Sequence, residues 1–292
     1  VPIKKKKKLV NETFVTKGKG SGFGNGATVP YGCYQLFGDL LLDYKLPAGT
    51  VEDYKRSLDL ATASAQTSFK INGQQFQRTY YTSFDKNVGL IQLNQPKDKV
   101  QTVDLSFQRQ ENIDRYTLLN DGILIEGSLP DGKGGKNLKF VGLIRVKGEN
   151  LQISKMDQVL QVSVKGNLTI YFSASTSYYG KNPIPVVKAN VEAAKIADEQ
   201  KIYRNHLAAY QKIFNRVKLN LFGNAANDTI PTNERIANFY KNPVQDPDLA
   251  TIYYQFGRYL NISSAAPKNT NSLPPNLQGL WANEINTPWN GD

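Results

Sequence analysis

The sequence is poor in the residues that most often carry metal or nucleophilic chemistry. Its 292 residues include one cysteine, Cys33, and one histidine, His206. A single cysteine excludes an internal disulfide and a cysteine-based zinc site, and a single histidine excludes a histidine metal cluster and most catalytic triads. We therefore expect no metal and no cofactor in this chain.

The chain also lacks long apolar runs. No uninterrupted stretch approaches the ~20 apolar residues that a membrane-spanning helix requires, so no membrane span is expected. A hydrophobic content of 40% in a chain of this length is enough for one large domain or two ordinary ones.

Basic residues outnumber acidic residues in the part of the chain before residue 223. The net charge is +11, and residues 223–292 hold four basic and six acidic side chains, so the excess lies before them. Five of the bases form the run Lys4 to Lys8. Because neither arginine nor aromatic residues are interleaved with this run, we interpret it as a frayed terminus and expect no nucleic-acid partner.

Two hairpin signals indicate β structure in the first half. Alternate residues from Ala61 to Ile71 form one face, Asn72-Gly73 suits a type I′ turn, and Phe76, Arg78 and Tyr80 continue the alternation. Asp121-Gly122 predicts a second turn of this type. Further predicted strands are Leu40 to Tyr44, Val88 to Leu93, Val100 to Phe107, Phe140 to Val146, Gln158 to Val164 and Leu168 to Ser173. Many short strands at close spacing predict a large β-sandwich.

Helical periodicity begins after two prolines near Tyr178. Residues Val191 to Phe214 are predicted to form one long helix, and His206 beside its apolar stripe is predicted to be a packed or surface histidine without a catalytic role. Asp246 is predicted to cap a second helix that has Pro247 at its first position. That helix has a broad apolar face, which predicts helical neighbours: Leu249, Ile252, Tyr253, Phe256, Tyr259 and Leu260.

The closing segment, LPPNLQGLWANEINTPWNGD, is typical of a sugar-binding loop. It places both tryptophans, Trp281 and Trp289, nine positions apart without helical or strand periodicity. Indole faces can stack on a pyranose ring, and carboxamides can both donate to and accept from hydroxyls. Our predicted substrate-binding residues are Trp281, Asn283, Asn276, Gln278 and Trp289. The alternative is that the indoles fill a gap between helices.

Other motifs offer little chemistry. The run Gly18 to Gly26 lacks the Lys-Ser/Thr of a phosphate loop. Glycoside hydrolysis usually needs two carboxylates, and no such pair stands out. Glu284 lies in the aromatic loop but is better explained as solvated, and Asp39 and Asp43 fall in or beside a predicted strand. We predict no catalytic residue within this chain.

Several stretches resemble glycoside hydrolase family 95, whose members are α-L-fucosidases and some α-L-galactosidases. GCYQLFGDLLLDY resembles its amino-terminal signature, and NLQGLW followed by a PW pair resembles the start of its catalytic domain. HLAAYQKIFNRVKLNL resembles the end of its linker helix and a following strand. TNERIANF and DPDLATIYYQFGRYLNISSA resemble the first catalytic helices.

The resemblance implies a β super-sandwich at residues 1–185, a helical linker and following strand at 186–222, and the truncated start of an (α/α)6 barrel at 223–292. It also implies an inverting mechanism that uses a glutamic acid and water-orienting asparagines. These groups would lie beyond Asp292. The opening strands of the family are missing here, and Ala282 stands where the family often has Asn.

The resemblance implies an inverting α-L-fucosidase that acts on terminal α-linked fucose of glycans. Three alternatives stay open: an α-L-galactosidase, another sandwich-plus-barrel enzyme such as a glycoside phosphorylase, and a non-catalytic carbohydrate-binding sandwich. The expected partners are a fucosylated glycan and the remainder of the same polypeptide. The expected location is periplasmic or extracellular.

Overall fold

A mostly-sheet domain is followed by helices. The computed structural model of the chain describes residues 35–83, 86–130, 135–265, 275, 280 and 281. Its strands are β1 Asp39–Tyr44, β2 Val51–Asp59, β3 Ser64–Ile71, β4 Gln74–Ser83, β5 Val88–Asn94, β6 Val100–Gln108, β7 Ile113–Leu118, β8 Gly122–Pro130, β9 Lys136–Met156 and β10 Val159–Thr176. Its α-helices are α1 Pro183–Ile196, α2 Glu199–Phe214, α3 Thr232–Lys241 and α4 Asp248–Ser264. Short 3₁₀ helices span Ala225–Thr229 and Pro243–Gln245.

The strands form one antiparallel sheet that bends sharply. Its main path runs β2-β3-β4-β5-β10-β9-β8-β7, and β6 pairs with both β1 and β10. Strand β10 changes partner along its length, because Leu160 to Lys165 face β6 whereas Leu168 to Phe172 face β5. A register shift after Lys165 and a φ of +78° at Gly166 mark the change. Such irregularities bend strands, so β1 and β6 leave the main path here.

The bend gives the sheet one shared core. Side chains from β5, β6, β8, β9 and β10 pack in a single buried cluster, with Leu105, Ile125, Ile144 and Ile170 fully buried. Burying each such side chain stabilises the fold by about 1.5–3 kcal/mol. This cluster is the main apolar support of the sheet domain.

Helix α1 covers the opposite face of the sheet. Asn182 caps it by accepting a hydrogen bond from the Ile184 amide at 3.1 Å. Val187, Val191 and Ala194 are buried in the same cluster as Leu90, Leu143 and Tyr171 from the sheet. The central strands are therefore buried on both faces, which explains their long apolar runs.

One predicted hairpin is confirmed and the other needs correction. Asn72 and Gly73 have φ angles of 52° and 73° between β3 and β4, as a type I′ turn requires. By contrast, Gly122 is the first residue of β8 and has no positive φ. Position 122 requires glycine for a steric reason, because a Cβ at this position would overlap the Ile144 carbonyl oxygen.

The linker differs from the sequence prediction in two respects. The single helix from Val191 to Phe214 is wrong, since Ala197 and Asp198 are extended and Asp198 caps α2 by accepting from the Gln200 amide at 2.9 Å. The predicted following strand is also wrong. Residues 217–224 alternate polar and apolar side chains, but they pair with no strand in the described part of the chain.

Candidate functional site

An ion pair at the start of α4 fixes the first two helices after the linker. Arg235 of α3 donates two hydrogen bonds of 2.7 Å to the Asp246 carboxylate, and both side chains are buried. These bonds hold the pKa of Asp246 below its usual range. Asp246 Oδ1 also accepts from the Leu249 amide at 3.3 Å, which confirms its predicted capping role.

Three aspartates of this region surround the Arg235 guanidinium. Asp228 and Asp248 lie 3.7 and 3.9 Å from its guanidinium. A general acid in glycoside hydrolysis needs a raised pKa, whereas that of Asp246 is lowered. Arg235 and its three aspartates are therefore a structural centre that joins α3 to α4.

Arg258 joins α4 to the linker helix. It donates to the carbonyl oxygens of Phe214 at 2.9 Å, Val217 at 3.1 Å and Ile213 at 3.3 Å. These carbonyls lie at and just beyond the end of α2, where helix carbonyls lack intrahelical partners and the dipole favours a cation. The guanidinium also lies 5.1 Å from the centroid of the Phe214 ring. Arg258 thus caps α2 from a neighbouring helix.

A row of aromatic rings extends from α4 to Trp281. The ring centroids of Phe256 and Tyr259 are 6.1 Å apart, and those of Tyr259 and Trp281 are 6.3 Å apart. We call Phe256, Tyr259 and Trp281 the aromatic ledge. Burial raises the pKa of Tyr259, whereas Trp281 is 46% exposed. The ledge therefore keeps part of an indole surface accessible.

Trp281 is the one predicted sugar-binding residue that the structure describes. Its side chain is partly exposed among the described residues, and its contact with a sugar stays a prediction. The other predicted contacts, Asn276, Gln278, Asn283 and Trp289, lie outside the described residues, as does Glu284. The structure therefore tests the loop at one position.

The first turn of α2 is anchored in the sheet by Glu199. Its carboxylate accepts hydrogen bonds from the Tyr171 hydroxyl at 2.7 Å, the Thr169 hydroxyl at 2.9 Å and the Gln92 amide at 2.9 Å. Lys147 Nζ lies 3.6 Å away. Burial raises the pKa of Tyr171, and the hydrogen bond and negative charge of Glu199 raise it further. Four side chains of three strands thus converge on one glutamate.

The second half of α2 is held by the loop between β2 and β3. His206 Nε2 lies 2.8 Å from the Thr62 carbonyl oxygen, the Tyr210 hydroxyl donates to Leu60 O at 2.7 Å, and the Gln211 amide donates to Ala61 O at 3.1 Å. His206 is 1% exposed, so its predicted packed role is confirmed. Together with Glu199, these bonds fix the orientation of the linker helix and of the helices that Arg258 attaches to it.

Neither metal-binding geometry nor a membrane helix is found in the described part of the chain. No three His, Cys, Asp or Glu residues there are placed to hold a metal ion. No helix among those residues is long and apolar enough to cross a membrane. Asp43, which we considered structural, pairs with Lys45 at 2.5 Å on the surface.

Two family models match the chain. Residues 3–181 match the N-terminal domain of glycosyl hydrolase family 65, and residues 198–292 match the catalytic domain of glycosyl hydrolase family 95. The first match covers the sheet domain and the second begins at the cap of α2, so both agree with the order of sheet and helices. Both describe parts of glycosyl hydrolases. The match at residues 3–181 covers more than half of the chain and places its sheet domain among the N-terminal domains of family 65, whereas residues 198–292 are similar to the family 95 catalytic domain.

Curated relatives match nearly the whole chain. Alpha-L-fucosidase 2 of Arabidopsis thaliana is 29% identical over 90% of this chain and 35% of its own length. A protein of Aspergillus niger named "Probable alpha-fucosidase A" is 26% identical over 90% of this chain and 34% of its own length. The chain therefore spans about a third of the length of these relatives.

A solved structure is also similar in part. The family GH92 alpha-mannosidase from Bacteroides thetaiotaomicron superposes with a TM-score of 0.38 at 10% identity, over 67% of this chain and 30% of its own. This likeness is too low to add to the functional argument.

Proposed function

We propose that the protein to which this chain belongs is an inverting α-L-fucosidase that removes terminal α-linked L-fucose from glycans. The observation that carries the proposal is the similarity over 90% of the chain to relatives named as fucosidases, together with the family 95 catalytic match at residues 198–292. Inversion is the expectation that the family resemblance gives.

The proposed architecture is a β super-sandwich, a helical linker and an (α/α)6 barrel that α3 and α4 begin. Two observations support the barrel. Tyr240 on α3 is 87% exposed and Tyr253 on α4 is 80% exposed, while no residue of α4 is fully buried. Amphipathic helices of this kind need further helices to cover their apolar faces. Additional barrel helices would supply that cover.

In this proposal the aromatic ledge forms part of the sugar-binding rim. The exposed indole of Trp281 offers an apolar surface for the C5 methyl group and ring hydrogens of a 6-deoxy sugar. Asn276, Gln278, Asn283 and Trp289 are the further proposed contacts. Amides bind a defined set of hydroxyls, so they would discriminate against sugars that lack one of them.

The catalytic groups are proposed to lie outside this chain. Asp228, Asp246 and Asp248 lie within 4 Å of the Arg235 guanidinium, and hydrogen bonds from Arg235 lower the pKa of Asp246, which supports this assignment. The contribution of the present residues is then to position the barrel, through Glu199 and Arg258, and to bind sugar at Trp281. The segment of residues 1–292 alone is expected to be inactive.

The experiment is a comparison of substrates with the full-length protein. We expect hydrolysis of a chromogenic α-L-fucoside at a higher kcat/KM than the matching α-L-galactoside, without added phosphate. Preference for the galactoside would favour the α-L-galactosidase alternative. A strict need for inorganic phosphate would identify a phosphorylase. Glycan binding without turnover would favour the alternative of a non-catalytic carbohydrate-binding protein.

Trp281→Ala and Trp281→Phe in the full-length protein test the ledge. We expect Trp281→Ala to raise KM for the fucoside by about tenfold or more and Trp281→Phe to restore part of the loss, because even one methylene contact in an apolar pocket contributes about 1–3 kcal/mol. Tyr178→Ala, at an exposed tyrosine between β10 and α1, is the matched aromatic control outside the ledge. An unchanged KM in Trp281→Ala would remove this residue from the site. The periplasmic or extracellular location remains a prediction.

A further inference from the structure

The sheet domain contains a cleft of about 260 Å³ that the proposed catalytic role does not use. It opens where the end of β1 and the following loop meet β4, β5 and the start of β6. The residues that matter for the argument are Tyr44, Lys45, Gln77, Arg78, Asn94 and Gln101. None of them belongs to the aromatic ledge.

Arg78 is an unusual residue for its position in the sheet. It lies on the same face of β4 as the buried Phe76, and it pairs across the sheet with Leu93. Its guanidinium lies 3.4 Å from the centroid of the Tyr44 ring and 5.0 Å from that of Phe69. The rings orient the guanidinium and stabilise its charge, leaving its N–H edges directed away from them.

Within the described residues, Arg78 has no hydrogen-bond acceptor and no carboxylate partner. Lys45, the other cation of the cleft, is different. Its ammonium group contacts Asp43 at 2.5 Å and Asp104 at 2.8 Å, and the hydrogen bonds that it donates to Asp104 and Asp43 raise its pKa. Among the described residues, the five guanidinium N–H donors of the half-buried Arg78 thus have no protein acceptor at the cleft.

The amides around Arg78 are partly fixed by the fold. Gln101 donates to Leu93 O at 3.1 Å and to Gly166 O at 2.5 Å, and the Gln74 amide donates to Gln95 Oε1 at 2.7 Å. By contrast, the side-chain amides of Gln77 and Asn94 make no hydrogen bond in the part of the chain that is described. The cleft therefore combines a rigid base with two amides free to bind a ligand.

We propose that this cleft binds a neutral saccharide of one or two rings. Amides and a guanidinium match ring hydroxyls, and the apolar side chains of Leu46, Pro47 and Val100 at the cleft can contact the ring hydrogens. The volume is slightly below the range of about 300–1,000 Å³ for drug-sized ligands. A polyanionic ligand is disfavoured because Asp43 and Asp104 already neutralise Lys45.

The test is ligand-observed NMR and calorimetry of the chain of residues 1–292 with defined probes. The neutral probes are cellotetraose, galactotetraose and 2′-fucosyllactose, and the acidic probe is trigalacturonate. We expect at least one neutral probe to bind and Arg78→Gln to weaken its Kd by tenfold or more. Arg56→Gln, on the exposed strand β2, is the matched control and should leave Kd unchanged.

Four results would overturn the proposal. They are the absence of binding by every neutral probe, binding of trigalacturonate alone, an unchanged Kd in Arg78→Gln, and a Kd that depends on Trp281→Ala instead. If Arg78→Gln lowers the melting temperature, the double variant Gln77→Ala, Asn94→Ala replaces it, and full retention of binding by that variant also contradicts the proposal. Because binding is measured without turnover, the outcome is independent of the proposed fucosidase activity.

Discussion

The Tyr171 hydroxyl donates a hydrogen bond of 2.7 Å to the Glu199 carboxylate and so connects the centre of the sheet to the first turn of the linker helix. Thr169 and Gln92 donate to the same carboxylate. Since Arg258 then attaches α4 to the other end of that helix, α2 fixes the position of α4 relative to the sheet.

Glu199→Ala should destabilise the chain. The substitution leaves the buried Tyr171 hydroxyl without its acceptor, and hydrogen bonds to a charged group contribute about 1.5–3 kcal/mol. Because Glu199 is about one quarter exposed, we expect a loss near the lower end, about 1–2 kcal/mol. Urea denaturation measures it. Glu149→Ala, an exposed site on β9, is the control, and equal losses in the two variants would refute the anchoring role.

Arg258→Met should loosen the helical region while keeping most of the apolar stem. The end of α2 would lose three charge-assisted bonds to its carbonyls, so we expect a loss of about 1–3 kcal/mol. Arg204→Met removes an arginine that is 64% exposed and should change stability by less than about 0.5 kcal/mol. Hydrogen exchange of the backbone amides of α2 and α4 distinguishes the two variants. Unchanged protection of these amides in Arg258→Met would show that Arg258 does not cap α2.

The Arg235–Asp246 pair should make the helical region acid-sensitive. The pKa of Asp246 is lowered in the folded state, chiefly by hydrogen bonds from Arg235. Its contribution is therefore complete above the unfolded value of about 4 and is lost as pH falls through the lower folded pKa. Hydrogen exchange of residues 232–264 should show constant protection from pH 7 to 5 and a decline below about pH 4.

Asp246→Asn should abolish that decline and cost about 3 kcal/mol at neutral pH, because it leaves a buried arginine without its charge partner. Asp228→Asn is the control, since that carboxylate is 68% exposed and 3.7 Å from Arg235. The same acid sensitivity in Asp246→Asn as in the native chain would assign the transition to another group.

Two glycines should respond differently to alanine. Gly73 has a φ of 73° and nothing near its missing Cβ, so Gly73→Ala should cost about 1–2 kcal/mol through backbone strain alone. In Gly122→Ala the new methyl group would overlap the Ile144 carbonyl oxygen, and we expect a loss above about 3 kcal/mol. Urea midpoints compare the two variants. A smaller loss in Gly122→Ala would show that the β8–β9 contact is looser than the structure indicates.

The sequence predicted strands correctly where the alternation of apolar residues and the turn residues indicate the same strand boundaries. The hairpin at Asn72-Gly73 and the strand from Leu40 to Tyr44 follow from local signals. Strand β2, Val51–Asp59, was missed because every residue in it is exposed and the sequence shows no buried face. The break at Ala197–Asp198 was missed because the apolar spacing continues across it, although Asp198 is a good cap.

The site could be predicted only in part. The indoles and amides of the closing loop are visible as composition, so Trp281 was predicted from the sequence as a sugar contact, which stays a prediction. Glu199 and Arg258 were not, because their partners lie on strands or helices distant in sequence, with Gln92 107 positions from Glu199. Arg258 stands between Phe256 and Tyr259 within an otherwise apolar helical face. A charged residue in such a position is the sequence signal that could have identified Arg258.

The most direct test of the central claim is ¹H NMR of the first sugar released from an α-L-fucoside by the full-length protein. The account predicts that β-L-fucose appears first and then equilibrates with the α anomer, because water attacks opposite the leaving group. Initial release of α-L-fucose, or no release of fucose, would contradict it.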